Sequence, residues 1–189
     1  MAAPKLRLPV ETARLLVREF AEGDLDDLHA WRRHPAYRRY LPMPKQTRGE
    51  VKAELDAVLR DQIDHRRLRY LLAVVERPGG RLIGEAILKV APTLSHRQAE
   101  IGWAVAENAK GKGYAPEIDG ALLAAAFGKL RLHRVFALCS IGNEPSRRVM
   151  QKLGMREEGL LREHFRARDR WWSSHLYGTL RTDYRKKRD

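Results

Sequence analysis

The stretch from residue 99 to residue 127, AEIGWAVAENAKGKGYAPEIDGALLAAAF, contains three consecutive parts that decide the fold. Its apolar opening, residues 99–105, predicts a β-strand. The alternate glycines of KGKG, residues 110–113, predict a tight turn. Pro116 is favoured in the first turn of a helix, and the apolar residues behind it predict that this helix continues to about Leu130. The order is therefore strand, glycine-rich loop, helix.

The glycine-rich loop has the composition of an anion-binding site. Glycines let successive backbone N–H groups point into one concavity, and a helix N-terminus adds about half a positive charge. Lys110 and Lys112 would add charge for a diphosphate. The glycine spacing is neither that of a Walker loop nor that of a dinucleotide-binding loop. A phosphate-binding loop and a plain strand-to-helix turn are the two interpretations that this spacing allows.

Hydrophobic periodicity predicts six further strands and three further helices. The strands are expected at residues 15–20, 70–75, 82–88, 135–140, 160–168 and 171–180. The helices are expected at residues 24–33, at residues 47–60, and from a cap at Asn143 to a stop at Gly154. This order predicts an α/β or α+β sheet with helices on both faces. We expect one domain over residues 1–189, with a core at about 10–180 and a basic tail at 181–189.

Composition excludes several classes of protein. Hydrophobic residues make up 43% of the 189 residues, which is enough for a core and excludes wholesale disorder. The longest apolar run, residues 121–127, is far shorter than the roughly 18–20 residues that a membrane span needs. The N-terminus lacks the apolar stretch of a secretory signal. A single cysteine, Cys139, excludes an internal disulfide and favours a reducing compartment. These features predict a cytoplasmic protein with no membrane association.

The positive charge is unevenly distributed. The chain has 37 Lys and Arg against 24 Asp and Glu, and residues 127–189 alone hold 16 basic and 7 acidic side chains. Such a surface attracts polyanions, which include RNA, ribosomes, acidic protein segments and phosphorylated cofactors. An arginine-rich surface that serves only solubility is the alternative interpretation.

Two segments resemble the GNAT superfamily of N-acetyltransferases. Residues 110–115, KGKGYA, resemble the acetyl-CoA motif Gln/Arg-x-x-Gly-x-Gly/Ala, with a departure at Lys110. Residues 143–155, NEPSRRVMQKLGM, resemble the signature Asn-x-x-Ser…Lys-x-Gly-Phe. The second segment and the opening strand near residues 12–18 are similar to the RimJ/RimL-like subgroup, which acetylates N-termini of ribosomal proteins. The resemblance extends from about residue 10 to residue 180.

The resemblance implies a mixed, mostly antiparallel sheet of about seven strands. It also implies direct attack of a primary amine on acetyl-CoA, with no acyl-enzyme and no metal. The preferred acceptor is a protein N-terminal α-amine, with ribosome association as a further expectation and a homodimer left open. The first alternative is a small amine: an amino acid, a polyamine or an antibiotic. A cationic acceptor would require acidic residues at the site, for which Asp56, Asp61 and Asp64 are candidates. A non-catalytic basic module that binds RNA or a protein partner is the second alternative.

The mechanism that this resemblance implies needs a base and hydrogen-bond donors, and individual residues are candidates for these roles. Glu100, in an otherwise apolar strand, is the first candidate for the general base, and Glu85 is the second. Ser146 is the candidate proton donor to the leaving thiolate, and the backbone N–H of Val105 is the candidate donor to the thioester oxygen. Asn143 is expected to contact the pantetheine arm, although Asn143 and Ser146 could equally just cap their helix. The predicted cofactor-binding residues are Trp103, Val105, Lys110, Gly111, Lys112, Gly113, Tyr114, Ala115, Asn143 and Ser146.

Overall fold

The computed structural model describes residues 6–41, 43–64, 66–92, 97–167 and 169–186. Its strands are β1 (Val10–Glu11), β2 (Leu15–Arg18), β3 (Arg69–Glu76), β4 (Leu82–Val90), β5 (Gln98–Val105), β6 (Arg134–Ser140), β7 (Arg156–Ala167) and β8 (Arg170–Leu180). Its α-helices are α1 (Leu25–Arg32), α2 (Pro35–Arg38), α3 (Arg48–Ile63), α4 (Tyr114–Gly128), α5 (Glu144–Lys152) and α6 (Arg181–Lys186). Short 3₁₀ turns cover Glu22–Asp24 and Glu107–Ala109.

The described strands form one mixed sheet in the order β1-β2-β3-β4-β5-β6-β8-β7. Each neighbouring pair is antiparallel except β5 and β6, which run parallel. The predicted mostly antiparallel α/β architecture is therefore confirmed. The two-residue strand β1 was not predicted, because two residues are too few to show a period of two.

The sheet has two chemically different faces, because successive side chains of a strand point to opposite sides. Glu85 and Ala104 are register partners on one face, and we call this the Glu85 face. Helices α1 and α2 lie against it, since Arg32 and Tyr37 both bond to Glu85. Trp103 and Val105 point to the other side, the Trp103 face. Helix α5 lies on the Trp103 face, where Arg147 reaches Tyr177 of β8.

The parallel pair β5–β6 separates soon after it begins. Pairing is confined to residues 98–100 of β5 and residues 134–136 of β6, although β5 continues to Val105 and β6 to Ser140. Beyond this point the two strands diverge. Helix α4 starts beyond the end of β5 and α5 starts beyond the end of β6, so both helix N-termini lie at the open end of the gap.

The segment expected to be a basic tail begins with a helix. Residues 181–186 form α6, and the Tyr184 ring packs 5.0 Å from the Phe127 ring of α4. Burial of an aromatic ring against another ring supplies the stabilisation that a purely charged terminus lacks. Residues 187–189 lie outside the described part of the chain.

Helix α4 packs an apolar stripe that includes Ile118 and Leu122 into the core. None of the helices in the described ranges is long and apolar enough to cross a membrane. One polar group interrupts the apolar layer: Asp119 has no exposed surface, and neither of its carboxylate oxygens has a hydrogen-bond partner among the described residues. Burial raises the pKa of Asp119 well above its ordinary value. This shift favours the protonated form of the carboxyl group in the folded protein.

We predict that Asp119 makes folding stability fall with rising pH. In the unfolded chain the pKa of this carboxyl group is about 4. Below that pH the group is protonated in both the folded and the unfolded protein, so it does not change the free energy of unfolding. Above that pH the unfolded protein releases the proton and the folded protein keeps it. The free energy of unfolding therefore falls by about 1.4 kcal/mol per pH unit, until the pH reaches the pKa of Asp119 in the folded protein. Asp119→Asn removes this pH dependence and is more stable than wild type at pH 8.

Urea unfolding from pH 4.5 to 8 measures the free energy of unfolding of both proteins, and Asp61→Asn, at an exposed position, is the control. Identical pH profiles for wild type and Asp119→Asn would show that Asp119 titrates normally.

Candidate active site

A cleft of about 520 Å³ opens where β5 and β6 diverge. The end of β5 forms its floor, through Trp103, Ala104 and Val105. The glycine-rich loop and the start of α4 form one wall, through Ala109, Lys110, Gly111, Gly113, Tyr114, Ala115 and Pro116. The start of α5 forms the second wall, through Asn143, Pro145, Ser146 and Val149. Residues around α2 form the third wall, through Ala36, Tyr37, Tyr40 and Leu41. The cleft therefore brings together most of the predicted site.

The glycine-rich loop has the backbone that an anion-binding loop requires. Gly111 and Gly113 have φ angles of +75° and +77°, which residues with a Cβ rarely adopt. A Cβ on Gly111 would meet nothing within 4 Å, so this side of the loop is open. Gly113 is the N-cap of α4 and has no side chain to bond the N–H groups of the first turn. These N–H groups, with the helix dipole, can therefore bind an anion at the cleft wall.

The two lysines of the loop have different positions. Lys110 lines the cleft, and its ammonium lies 2.5 Å from the carboxylate of Glu107. Lys112 is not among the lining residues: its ammonium lies 5.9 Å from the centroid of the Tyr114 ring, and its carbonyl accepts a 2.9 Å hydrogen bond from Arg14. The phosphate-binding role predicted for Lys112 thus has no support from its position.

Arg14 and Glu117 hold the loop in place, and sequence reasoning missed both. Arg14 donates to the carbonyl of Lys112 at 2.9 Å and from its Nε to Glu117 at 2.7 Å. Thr12 also donates to Glu117, at 2.6 Å. Partial burial opposes ionisation of Glu117, but the hydrogen bonds from Thr12 and Arg14 outweigh it and lower the pKa. The start of β2 is thereby tied to the first turn of α4, and no local pattern reveals this pairing.

The Tyr114 hydroxyl is hydrogen-bonded to a carboxylate that does not line the cleft. It donates a hydrogen bond to the Glu76 carboxylate, which also pairs with Arg81 at 2.7 Å. This hydrogen bond to Glu76 raises the pKa of Tyr114. Its ring lines the cleft. Tyr114 therefore shapes the wall, and its hydroxyl is directed toward β3.

Asn143 and Ser146 both line the cleft and both belong to the helix cap. The Asn143 side-chain oxygen accepts a 3.3 Å hydrogen bond from the backbone N–H of Ser146. The capping role and the ligand-contact role are compatible, because the amide nitrogen of Asn143 is a separate donor. Both side chains are half-buried at the mouth of the cleft.

A buried ionic network lies behind the cleft on the Glu85 face. Glu85 is 6% exposed; it bonds the Arg32 guanidinium at 2.5 Å and accepts a 3.0 Å hydrogen bond from the Tyr37 hydroxyl. Arg32 also pairs with Glu54 at 2.7 Å. Burial, followed by the charge of Glu85, raises the pKa of Tyr37. Tyr37 is therefore a neutral hydroxyl that connects the cleft to a buried carboxylate.

Glu100 lies on β5 but away from the end of the strand that forms the cleft floor. It is absent from the cleft lining and forms an ion pair with Lys89 at 3.2 Å. Ala104, the register partner of Glu85, is four residues further along β5, about 13 Å at 3.3 Å per residue. Both glutamates occupy the same face and neither lines the cleft, but Glu85 is connected to it by the hydrogen bond from Tyr37, which is a lining residue. A catalytic role for Glu100 stays a prediction that its position does not favour.

A family model described as the acetyltransferase (GNAT) domain matches residues 14–156, which is most of the chain. The chain belongs to the GNAT acetyltransferase family. It is 30% identical over 175 residues to the protein named "Uncharacterized N-acetyltransferase YnaD" of Bacillus subtilis, with 93% of this chain and 98% of that protein covered. The solved structure of a GNAT-family acetyltransferase from Bacillus anthracis matches with a TM-score of 0.80 at 26% identity, covering 93% of this chain and 99% of that one.

A third relative is similar over a shorter stretch. The Bacillus subtilis protein named "Putative ribosomal N-acetyltransferase YdaF" is 40% identical over 68 residues, which are 36% of this chain and 37% of that protein. Membership of the GNAT family makes this chain an N-acetyltransferase. Acetyl-CoA is the acetyl donor that GNAT enzymes use.

We predict that Gly113→Asp weakens binding of CoA by tenfold or more, about 1.4 kcal/mol. The new carboxylate would repel a phosphate group at the α4 N-terminus, and a side chain at φ +77° adds backbone strain. Gly113→Ala isolates the strain, and Gly79→Asp, at φ +106° in the β3–β4 turn, is the control for a charge at a strained glycine elsewhere. Calorimetric titration with CoA measures the affinity. Equal affinities for Gly113→Asp and Gly79→Asp would show that the loop does not hold the phosphates.

Proposed function

We propose that this GNAT enzyme transfers the acetyl group of acetyl-CoA directly to a primary amine, preferably a protein N-terminal α-amine. One observation carries the proposal: a single cleft joins the open N-terminus of α4 to the Tyr37–Glu85 pair. The first is an anion-binding group on the Trp103 face, and the second is a proton-accepting group on the Glu85 face. An acyl-CoA and an amine can therefore meet across the end of β5.

The residues on the Trp103 face fit acetyl-CoA. Gly111 leaves the loop open to a diphosphate, Gly113 leaves the first N–H groups of α4 without a side-chain cap, and Lys110 adds a positive charge at the cleft wall. Asn143 offers an amide to the pantetheine arm from the α5 side. When bound, acetyl-CoA supplies an activated acyl group with a thiolate leaving group. In the proposal the Val105 N–H donates to the thioester oxygen, and Ser146 donates to the thiolate.

Glu85 accepts the proton of the attacking amine, with Tyr37 as the intermediary. The amine must be neutral to attack, so a base has to take its proton. Tyr37, whose pKa is raised, cannot act as a phenolate. It can take the proton of the amine only as it passes its own to the Glu85 carboxylate, 3.0 Å away. Arg32 orients that carboxylate by a charge-assisted hydrogen bond.

The cleft does not suit a polycationic acceptor. Its lining residues include no Asp or Glu, and the nearby carboxylate of Glu85 is already paired with Arg32. The acidic residues of α3 do not supply the missing charge: Asp56 pairs with Lys52, and Asp61 lines a separate small depression. Polyamines and aminoglycosides carry several positive charges that such a site would leave unpaired. A single α-amine at the end of a polypeptide fits better.

The similarity to a relative named for ribosomal N-acetylation supports a protein acceptor. The net charge of +13 also favours association with ribosomes, whose RNA is a polyanion. The test is a panel of acceptors with acetyl-CoA: peptides with free N-termini, the same peptides with blocked N-termini, single amino acids, and spermidine. Thiol release and mass spectrometry follow the reaction. Turnover of free-ended peptides only is expected; turnover of amino acids or spermidine alone would replace the protein acceptor with a small amine.

We predict that Tyr37→Phe lowers kcat with the best acceptor by about 10²–10⁴-fold, the usual contribution of general acid–base catalysis. The loss should shrink at high pH, where free amine is abundant. Glu85→Gln should have the same effect on kcat, although it also leaves Arg32 without one of its two carboxylates. Glu100→Gln is the matched control on the same face and should keep wild-type kcat. A large loss in Glu100→Gln with normal turnover in Tyr37→Phe would reverse the assignment.

A further inference from the structure

The wall of the cleft around α2 is basic. Residues 33–41, RHPAYRRYL, contain three arginines and one histidine and no acidic residue. We call residues 33–41 the α2 segment. Four of its residues line the cleft: Ala36, Tyr37, Tyr40 and Leu41. Arg38 and Arg39 lie between the two lining pairs in the chain, and Arg33 and Arg39 are exposed, so this wall of the cleft carries positive charge.

The α2 segment crosses the cleft on the Glu85 face. Tyr37 donates to Glu85 of β4, and Ser140, the last residue of β6, donates to the Tyr40 carbonyl at 2.9 Å. The segment therefore extends from β4 to β6 over the gap between β5 and β6. The glycine-rich loop and α5 occupy the other side of the gap. The α2 segment therefore borders the Tyr37–Glu85 pair on this face of the cleft.

Arg39 is an exposed arginine of the α2 segment and lies in the chain between two lining residues, Tyr37 and Tyr40. It follows Tyr37 by two residues and precedes Tyr40, and its guanidinium lies 5.3 Å from the centroid of the Tyr40 ring. The acid facing this edge, Glu107, already pairs with Lys110 at 2.5 Å. The hydrogen bond from Lys110 lowers the pKa of Glu107; burial opposes it, and the charges of Lys110, His34 and Arg39 lower the pKa further. One carboxylate thus faces Lys110, His34 and Arg39, and positive charge exceeds negative charge at this edge.

We propose that the acceptor of this enzyme carries acidic residues directly after its N-terminal amine, and that Arg39 binds their carboxylates. The proposal rests on the proposed function, which supplies the protein acceptor. A basic acceptor sequence would meet like charge at the α2 segment, whereas an acidic one would be attracted. Positive charge near the amine also disfavours its ammonium form, so the same residues increase the fraction of amine that can react.

The test compares peptides that differ only in charge. Three peptides share an N-terminal alanine, followed by three aspartates, three glycines or three lysines. For wild type at low salt, kcat/KM for the aspartate peptide should exceed that for the glycine peptide by about fivefold, which is what one exposed ion pair supplies, and the lysine peptide should be the poorest. The advantage should fall as salt is raised to 0.5 M. Arg39→Glu should reverse the order of the aspartate and lysine peptides.

Two controls separate Arg39 from other charges. Arg60→Glu changes an exposed arginine on α3 outside the α2 segment, and it should leave the order of the peptides unchanged. The KM for acetyl-CoA, measured in each variant, should also stay within about twofold of wild type. If Arg39→Glu raises that KM and leaves the peptide order unchanged, Arg39 serves the CoA phosphates and the proposal is wrong.

The remaining outcomes distinguish this inference from the proposed function. Equal kcat/KM for all three peptides in wild type would overturn the acidic preference and leave a protein N-terminal acceptor intact. Acetylation of none of them, with turnover of a free amino acid, would overturn the protein acceptor and the acidic preference together. Reversal by Arg60→Glu as well as by Arg39→Glu would show a general effect of net charge, and would overturn the assignment to Arg39.

Discussion

The short parallel pairing between β5 and β6 is the constraint on which the site depends. The two strands share three residue pairs, while β5 is held to β4 by seven pairs and β6 to β8 by seven. Each strand is thus paired with its other neighbour, β5 with β4 and β6 with β8, and this pairing keeps the gap between β5 and β6 open. The edge of β5 beyond Glu100 can offer backbone groups to an extended ligand, because it no longer pairs with β6. Helix α4 then presents its N-terminus at the open end of the gap.

The alternation of side chains along β5 separates two kinds of chemistry. Trp103 and Val105 point toward the side of α5, while Ala104 sits beside Glu85 on the opposite face. An anion at the start of α4 and the Glu85 carboxylate would therefore lie on opposite faces of the sheet. Arg32 compensates the buried charge of Glu85, and Glu54 completes the network. On the Glu85 face, the tyrosines and arginines of the α2 segment form the wall of the cleft.

Local sequence was sufficient for the parts of the site that are local in the chain. The strand–loop–helix order, the glycine-rich turn and the Asn143 cap each depend on a few neighbouring residues. The Tyr37–Glu85 and Arg14–Glu117 pairs join residues 48 and 103 positions apart, and no periodicity encodes them. Glu85 and Glu100 look alike in sequence, since each is a carboxylate in an apolar strand. Only the register of β4 against β5 shows that Ala104 and Glu85 share the cleft end and that Glu100 faces Lys89.

Hydrogen exchange measured with and without acetyl-CoA shows where the donor binds, because it reports on backbone amides without any substitution. The gap between β5 and β6 should bind the donor along its length. We expect slower exchange in residues 101–105 of β5 and residues 113–115 at the start of α4, with little change in β7 and β8. Protection confined to other regions, or none at saturating acetyl-CoA, would contradict the claim that the divergence of β5 and β6 forms the donor site.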